Sequence, residues 1–255
     1  MSAVYNNASC DIYIGRGAGK KLLKDISSAR SNVRIISPYL SPSLVSHLVD
    51  RYYDGVKVQL VTSDVIEDYY GSYEKNIHKL ISQNRNTDID AQDKRNKLIR
   101  IKKILSLSGA TLFFIAALTA YFFPDIMLLY AVIPISFIAV ARHLLVIKIK
   151  NKIIYHYSYQ QLFPFKVFRS PERNEHGNTF IHSKVYIIDD EVAYLGSLNF
   201  TVSGTKSNYE TRVRVTDEKA LQVIIDECEK LFNTRGLPVR NIHEWGRELY
   251  AEPIN

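Results

Sequence analysis

Residues 182–189 read His-Ser-Lys-Val-Tyr-Ile-Ile-Asp, and residues 196–200, shortly after them, read Gly-Ser-Leu-Asn-Phe. The run Val-Tyr-Ile-Ile is typical of a β-strand, and the pattern predicts a strand over residues 179–188. Alternate side chains of a strand share a face, so His182 and Lys184 are expected to lie side by side. An imidazole can then attack an electrophile while an ammonium neutralises the adjacent charge. A tetrahedral phosphate group is the natural target for this pair.

The spacing H-x-K-x-x-x-x-D, followed by G-S-x-N-F, resembles the signature of the phospholipase D superfamily, the HKD motif. Residues 11–15, 33–39 and 55–58 look like the first half of the same domain. The resemblance extends over roughly residues 11–70 and 163–233. It implies an α/β fold, with a phospholipase D-like mixed sheet flanked by helices.

The residues of the motif suggest a division of roles. His182 is the expected nucleophile and would form a phosphohistidine. Lys184 would bind the non-bridging phosphate oxygens and stabilise charge in the transition state. Ser197 and Asn199 lie in a glycine-led loop and are expected to donate hydrogen bonds to the same phosphate. The resemblance further implies that Glu210 holds His182 in one tautomer, as carboxylates do in catalytic triads.

Asp189 and Gly196 are expected to support the motif structurally. Asp189 lies an odd number of residues from His182, and in a regular strand its side chain would point to the opposite face. Gly196 opens the loop that carries Ser197 and Asn199. We therefore predict that Asp189 supports structure and not catalysis.

The chain contains one copy of the motif, although the chemistry requires a second group that protonates the leaving oxygen. In two-motif members of the family that this chain resembles, a second histidine supplies the proton. The resemblance therefore implies a two-fold homodimer that pairs the two His182 side chains. No metal-ligand spacing is present, and neither a metal nor another cofactor is expected. The two cysteines, Cys10 and Cys228, form no disulfide framework, which indicates a reducing compartment.

Positive charge is concentrated in two short blocks, although the net charge of the chain is +7. Residues 94–103 carry six lysines and arginines, and residues 142–152 carry four. Outside these blocks and Asp125, the remaining 23 basic and 25 acidic residues nearly balance. This balance argues against the broad basic surface that is typical of nucleic-acid-binding proteins.

The basic blocks flank two apolar runs, about 104–123 and 126–147, separated by Pro124-Asp125. Each run approaches the ~20 residues that a helix needs to cross a bilayer. The pattern predicts a transmembrane hairpin over residues 104–147, between a first part of the catalytic domain (1–103) and a second part (148–255). Because both outer ends are basic, the positive-inside rule places both parts in the cytoplasm. A buried helical pair in a soluble protein is the alternative.

Elsewhere, patterns predict strands at 11–15, 33–37, 57–62, 165–169, 192–195 and 211–216, and helices at 17–29, 43–54 and 217–232. The first five elements alternate strand and helix, which indicates parallel strands. Residues 72–103 are compatible with a helix. The tyrosine-rich segment 155–163 is expected to be helical or irregular.

Three functions fit these observations. The first is a membrane-anchored phospholipase D-like enzyme that cleaves a phospholipid headgroup or transfers a phosphatidyl group. The second is a membrane-tethered nuclease whose small basic cleft would draw on Lys166, Arg169, Arg173, Lys206, Arg212 and Arg214. The third is an inactive dimeric scaffold, although the intact motif argues against it.

Overall fold

The computed structural model describes residues 4–64, 80–122, 127–170, 180–234 and 238–255. In those ranges the chain forms nine strands and seven helices, in this order: β1 (Cys10–Arg16), α1 (Gly19–Ser27), β2 (Asn32–Ile36), α2 (Pro42–Tyr53), β3 (Lys57–Ser63), β4 (Ile81–Thr87), α3 (Ile89–Phe122), α4 (Met127–Lys150), β5 (Tyr155–Gln161), β6 (Phe165–Phe168), β7 (Val185–Ile188), β8 (Val192–Gly196), α5 (Val202–Lys206), β9 (Tyr209–Val215), α6 (Glu218–Asn233) and α7 (Ile242–Leu249).

The chain divides into two units. One comprises Met1–Gln83 and Tyr159–Leu249, and the other comprises Asn84–Ser158 and Tyr250–Asn255. Along the chain, one boundary between the units falls within β4 and another within β5. These two strands pair in a two-stranded sheet.

A seven-stranded mixed sheet forms the first unit, with the order β1-β9-β8-β7-β2-β3-β6. The strands β2, β3 and β6 pair in parallel, and the remaining neighbours pair antiparallel. The predicted α/β class with a mixed sheet flanked by helices is confirmed. The expectation that the first three strands are parallel neighbours is wrong for β1, which lies at the edge and pairs antiparallel with β9.

The helices of this unit form where apolar residues recur at helical spacing. Leu22 and Ile26 give α1 one buried face, and Leu44 and Leu48 do the same for α2. The helix α6 begins at a side-chain cap, since the Asp217 carboxylate accepts a hydrogen bond from the Ala220 amide at 2.9 Å. Buried apolar side chains of α6 and of the central strands form one cluster, together with Ile181, which precedes His182. Its members include Ile36, Ile181, Val185, Ile187, Ala193, Val215, Leu221, Ile225 and Cys228.

Two sequence-based expectations fail at β4 and β5. Residues 81–87 were expected to tolerate a helix and 155–163 to be helical or irregular, yet both form strands. Tyrosines at every second position of 155–159 fit a strand period, and aromatic residues favour strands. Cross-strand packing adds to this preference, because the Arg85 guanidinium lies 4.5 Å from the ring centroid of Tyr155.

The strand that was expected over 179–188 is shorter in the structure. It begins at Val185, so His182 and Lys184 precede it, and residue 179 lies outside the described ranges. The motif therefore occupies the approach to a central strand.

The second unit contains the two long helices α3 and α4. The helix α3 has 34 residues and begins at Ile89, well before the apolar run, so its basic residues lie on the same continuous helix. Both helices are long and apolar enough to cross a membrane, with mean hydropathy of 1.8 and 2.0 in their most apolar windows. Only 0% and 6% of those windows are buried, whereas the core helices of a soluble protein are mostly buried. The predicted turn at Pro124-Asp125 lies outside the described residues.

Candidate active site

His182 and Lys184 meet at the start of β7. The Lys184 ammonium lies 3.0 Å from His182 Nδ1 and 3.1 Å from Nε2, and it donates a hydrogen bond to the His182 carbonyl at 2.7 Å. The His182 side chain is exposed, whereas Lys184 is 6% exposed. Buried Ile181 precedes the pair and Val185 follows it, and both pack into the core. The structure therefore presents an accessible imidazole above an almost buried cation.

Burial lowers the pKa of the Lys184 ammonium below its usual value, and the negative charge of Glu210 opposes part of this shift. A lysine in this setting holds its charge less firmly than a solvated one. It also presents that charge with little competing water, which strengthens its attraction for an anion.

Glu210 is buried and holds the glycine-led loop. Its carboxylate accepts a short hydrogen bond from the Ser197 hydroxyl and another from Asn208 Nδ2 at 3.1 Å. The Ser197 hydroxyl in turn accepts from the Thr211 amide at 3.0 Å. The resemblance implied a contact between Glu210 and His182, but the hydrogen bonds that the structure gives this carboxylate go to Ser197 and Asn208. Glu210 thus acts on the loop by hydrogen bonding and on Lys184 by charge.

Gly196 allows this loop to approach β9 closely. Its φ is +150°, and a Cβ at this position would come within 2.0 Å of the Thr211 carbonyl oxygen. The same approach forms a backbone hydrogen bond from the Ser197 amide to that oxygen at 3.1 Å. A glycine is therefore required here by both conformation and space.

Asn199 lies in the loop beside Ser197. Its Oδ1 atom is buried and has no hydrogen-bond partner among the described residues. Its backbone carbonyl accepts a hydrogen bond from the Thr201 amide at 2.7 Å, which fixes the loop as it enters α5. A buried polar atom without a partner is uncommon and often marks a position that a ligand or water completes.

Asp189 lies at the far end of β7 and does not face the His182–Lys184 pair. Its carboxylate accepts hydrogen bonds from the amides of Arg30, Ser31 and Asn32 at 2.7–3.0 Å, and from the Ser31 hydroxyl at 2.9 Å. Burial alone would raise the pKa of this carboxyl, but the backbone amides, with Ser31 contributing most, hold it below its usual value. Asp189 itself adopts a left-handed conformation, with φ of +54°. The carboxylate ties the turn before β2 to the end of β7.

The His182–Lys184 pair and the glycine-led loop line an open cleft of about 490 Å³. Its walls are His182, Ser183, Lys184, Val185, Leu195, Gly196, Ser197 and Asn199. In the described ranges, no group of three or more His, Cys, Asp or Glu side chains lies close enough together to hold a metal ion.

A family model described as cardiolipin synthase, phospholipase D-like domain, matches residues 135–233. The matched segment contains every predicted site residue, from His182 to Glu210. Over these residues, the chain resembles the phospholipase D superfamily.

Three solved structures resemble the phospholipase D-like chain. NucT from Helicobacter pylori is 14% identical, with 92% of this chain and 100% of that chain covered and a TM-score of 0.47. The phospholipase D family member Nuc from Salmonella typhimurium is 15% identical, with coverage of 91% and 99% and a TM-score of 0.44. Phosphatidylserine synthase from Haemophilus influenzae is 12% identical, with coverage of 99% and 44% and a TM-score of 0.44. No curated protein matches the sequence.

Most cations that were candidates for a nucleic-acid cleft have protein partners in the phospholipase D-like domain. Lys166 donates to the Thr234 carbonyl at 3.0 Å, and Arg212 donates to the Ala18 carbonyl at 2.9 Å. The structure also pairs Arg169 with Glu244 and Arg214 with Asp11. Lys206 is exposed at the end of α5, and Arg173 lies outside the described residues.

Two residues that support the site were not predicted from the sequence, Tyr186 and Ser37. The buried Tyr186 hydroxyl donates to the Leu198 carbonyl at 2.6 Å, and the Ser37 hydroxyl accepts from the Phe200 amide at 2.9 Å. Together they fix the backbone on either side of Asn199. For Tyr186, the two-residue spacing from Lys184 was the available signal, because in an extended segment it places both residues on one face.

Proposed function

We propose that this protein is a membrane-anchored phosphodiesterase that acts on phospholipid headgroups through a phosphohistidine at His182. The match of residues 135–233 to a phospholipase D-like domain supports a phosphodiesterase or phosphotransferase activity in general. The observation that carries the specific proposal is the exposed His182 imidazole, 3.0 Å from the buried Lys184 ammonium, in an open cleft. The pair combines a nucleophile with a charge that attracts phosphate oxygens.

The reaction proceeds in two displacements. In the first, a ring nitrogen of His182 attacks phosphorus, an N–P bond forms, and the P–O bond to the leaving alcohol breaks with its electron pair on oxygen. The leaving oxygen takes a proton from an acid. In the second, a water molecule or a second alcohol attacks phosphorus, loses its proton, and the N–P bond breaks to restore the imidazole. Lys184 and the side-chain NH₂ group of Asn199 donate hydrogen bonds to the non-bridging oxygens and stabilise their charge in both steps.

The acid is proposed to be His182 of a second copy of this chain. One ring then attacks in the neutral form while the other donates a proton, and the roles reverse in the second step. The edge strand β1 supports self-association, because its Ile12 and Ile14 side chains are 67% and 60% exposed. They lie on the same sheet face as Val213 and Thr211, opposite which they pair. A second copy that covers this strand would also remove an open sheet edge.

Phospholipid is the favoured substrate because the chain carries two exposed apolar helices in the segment between the two predicted parts of the catalytic domain. We propose that α3 and α4 anchor the protein in a membrane, with the parts of the chain before and after them on the cytoplasmic side. The basic residues at the start of α3 include Lys94, Lys97 and Arg100, all exposed, and they would attract anionic headgroups. The domain division predicted at residues 103/104 and 147/148 follows the apolar runs and remains part of this proposal.

The test uses the full chain in lipid nanodiscs containing EDTA. Labelled phosphatidylcholine, phosphatidylglycerol, cardiolipin, and single- and double-stranded DNA and RNA are offered separately. We expect release of a headgroup or transfer of a phosphatidyl group, lost at least ~100-fold in His182→Ala. His47→Ala, which removes an exposed histidine of α2, is the matched control and should retain activity.

The outcomes separate the three functions. Cleavage of an oligonucleotide with no turnover of lipid would replace the proposal with a membrane-tethered nuclease. The absence of turnover for every substrate, with no phosphoenzyme, would indicate a scaffold. Full activity in His182→Ala would overturn the catalytic assignment.

A further inference from the structure

An apolar pocket of about 470 Å³ lies between α6 and the sheet, on the face opposite Lys184 and Tyr186. Its volume falls in the ~300–1,000 Å³ range of small-molecule sites. Its walls include Ile36, Val215, Val223, Ile224, Cys228 and Leu231. The interior is therefore lined chiefly by aliphatic side chains.

The pocket results from how α6 packs. Leu221 and Ile225 of this helix are buried in the core cluster, whereas Ile224 and Leu231 are only partly buried against it. These apolar side chains are not fully covered by protein, although their helix lies against the sheet. A partly covered apolar pocket of this size gains free energy when apolar ligand atoms fill it.

The pocket shares part of its lining with the catalytic cleft. Ser183, Val185 and Leu195 line both spaces, and Ser183 lies between His182 and Lys184 in sequence. Val185 and Leu195 are cross-strand partners at the end of β7 and β8 nearest the motif. A ligand held by phosphate in the cleft can therefore place an apolar extension beside α6.

The polar side chains that line the pocket are Tyr5, Ser183 and Glu227, and its other lining residues are aliphatic or, at Cys228, a thiol. Ser183 is exposed, and the Glu227 side chain is 40% exposed and pairs with Lys230 at 3.5 Å. Inside, burial raises the pKa of the Cys228 thiol to about 12, so this group is neutral at physiological pH. A chiefly aliphatic lining matches an acyl chain better than a nucleotide base, which needs hydrogen-bonding partners.

We propose that this pocket binds an acyl chain of the phospholipid whose phosphate is attacked by His182. The inference rests on the proposed function and specifies its substrate as a lipid with a long acyl chain. Each methylene group that is buried contributes about fourfold to affinity, so chain length should govern selectivity.

The first arm of the test measures binding without turnover. The full chain carrying His182→Ala is incorporated into nanodiscs with a phosphatidylglycerol that bears a diazirine at the end of one acyl chain. After illumination, we expect cross-links to residues of α6, among them Ile224, Cys228 and Leu231. Filling the pocket with Ile224→Trp should reduce these cross-links at least about fivefold. Gln222→Trp, on the exposed side of the same helix, is the matched control and should leave them unchanged.

The second arm measures turnover with His182 intact. Ile224→Trp should lower kcat/KM for a dioleoyl phospholipid by about tenfold or more, and should change hydrolysis of water-soluble bis(p-nitrophenyl) phosphate by less than about twofold. Retained hydrolysis of the soluble substrate shows that the variant is folded. An equal effect of Ile224→Trp on both substrates, or none on either, would overturn the pocket assignment.

The two arms also distinguish this inference from the proposed function. If the wild-type protein hydrolyses neither substrate, the proposed function fails, and cross-linking alone decides whether the pocket holds an acyl chain. Cross-links confined to α3 and α4 would overturn the pocket assignment even if the protein hydrolyses phospholipid.

Discussion

The Lys184 ammonium lies about equally far from both ring nitrogens of His182, 3.0 Å from Nδ1 and 3.1 Å from Nε2. It is anchored there by its hydrogen bond to the His182 carbonyl. A cation in this position attracts a phosphate to the same point that the imidazole reaches. This geometry makes the charge of Lys184 as important to the proposed chemistry as the nucleophile.

The alkaline limb of the pH–rate profile should report the Lys184 pKa. Burial lowers this pKa, and the Glu210 charge raises it in part. Glu210→Gln removes the opposing charge, so Lys184 should lose its proton at lower pH. We therefore expect the alkaline limb of kcat/KM to move to lower pH in this variant. Ser197→Ala removes the hydrogen bond to Glu210 but leaves its charge, and should leave the limb in place.

Gly196→Ala should destabilise the protein strongly. The added Cβ would lie 2.0 Å from the Thr211 carbonyl oxygen, at a φ of +150°. We expect a loss of about 2–4 kcal/mol in the free energy of unfolding, measured by thermal or denaturant unfolding in detergent. Gly55→Ala is the control for backbone strain alone, since φ is +88° and nothing lies within 4 Å of its Cβ. It should cost about 1 kcal/mol, and equal losses in the two variants would contradict the close approach.

Asp189→Asn should remove a pH-dependent part of the stability. The folded-state pKa of Asp189 is lowered, so its stabilising effect is present above the unfolded value of about 3.9 and is lost as pH falls through the folded pKa. We expect the variant to be less stable by about 2 kcal/mol at pH 7, and the difference to shrink at pH 3. Asparagine tolerates the left-handed backbone, so the change isolates the charge.

The control for that comparison is Asp50→Asn, which changes an exposed carboxylate on α2. Its unfolding free energy should stay within about 0.5 kcal/mol of the wild type at both pH values. A pH-independent loss in Asp189→Asn would contradict the assignment of the stabilisation to the carboxylate charge.

The proposed topology places Cys10 and the end of α3 on opposite sides of a membrane. Cys10 is exposed, whereas Cys228 is buried with a raised pKa and should react slowly. In intact cells, an impermeant maleimide should label Tyr121→Cys in a Cys10→Ser background. The same reagent should label native Cys10 only after the membrane is permeabilised. Labelling of both positions from the same side would exclude a two-helix hairpin that returns to the cytoplasm.

The sequence predicts most of the sheet because its strands have strong apolar patterns, as in Val33–Ile36 and Val185–Ile188. It does not predict that β1 pairs with β9, since pairing depends on partners distant in the chain. The strands β4 and β5 were missed for a different reason. Ser82, Gln83 and Arg85 have no apolar alternation, and the pairing with the tyrosine-rich strand supplies the missing stabilisation.

For the side chains of the site too, contacts between residues close in sequence are predictable and contacts between distant residues are not. The positions of His182 and Lys184 are close in sequence, and their proximity follows from a two-residue spacing. The partner of Glu210 was expected to be His182 and is instead Ser197, thirteen residues away. Backbone approach at Gly196 brings these two residues together, and no local pattern in the sequence encodes that approach.

The most direct measurement is to trap the covalent intermediate. Wild-type protein in nanodiscs is mixed with phospholipid labelled at phosphorus, quenched in alkali within milliseconds, and digested for mass spectrometry. We expect a phosphoramidate on the peptide containing His182, stable to base, labile to acid, and absent from His182→Ala. Turnover of the lipid with label on a different residue, or with no label bound to the protein at any time point, would contradict a phosphohistidine at His182.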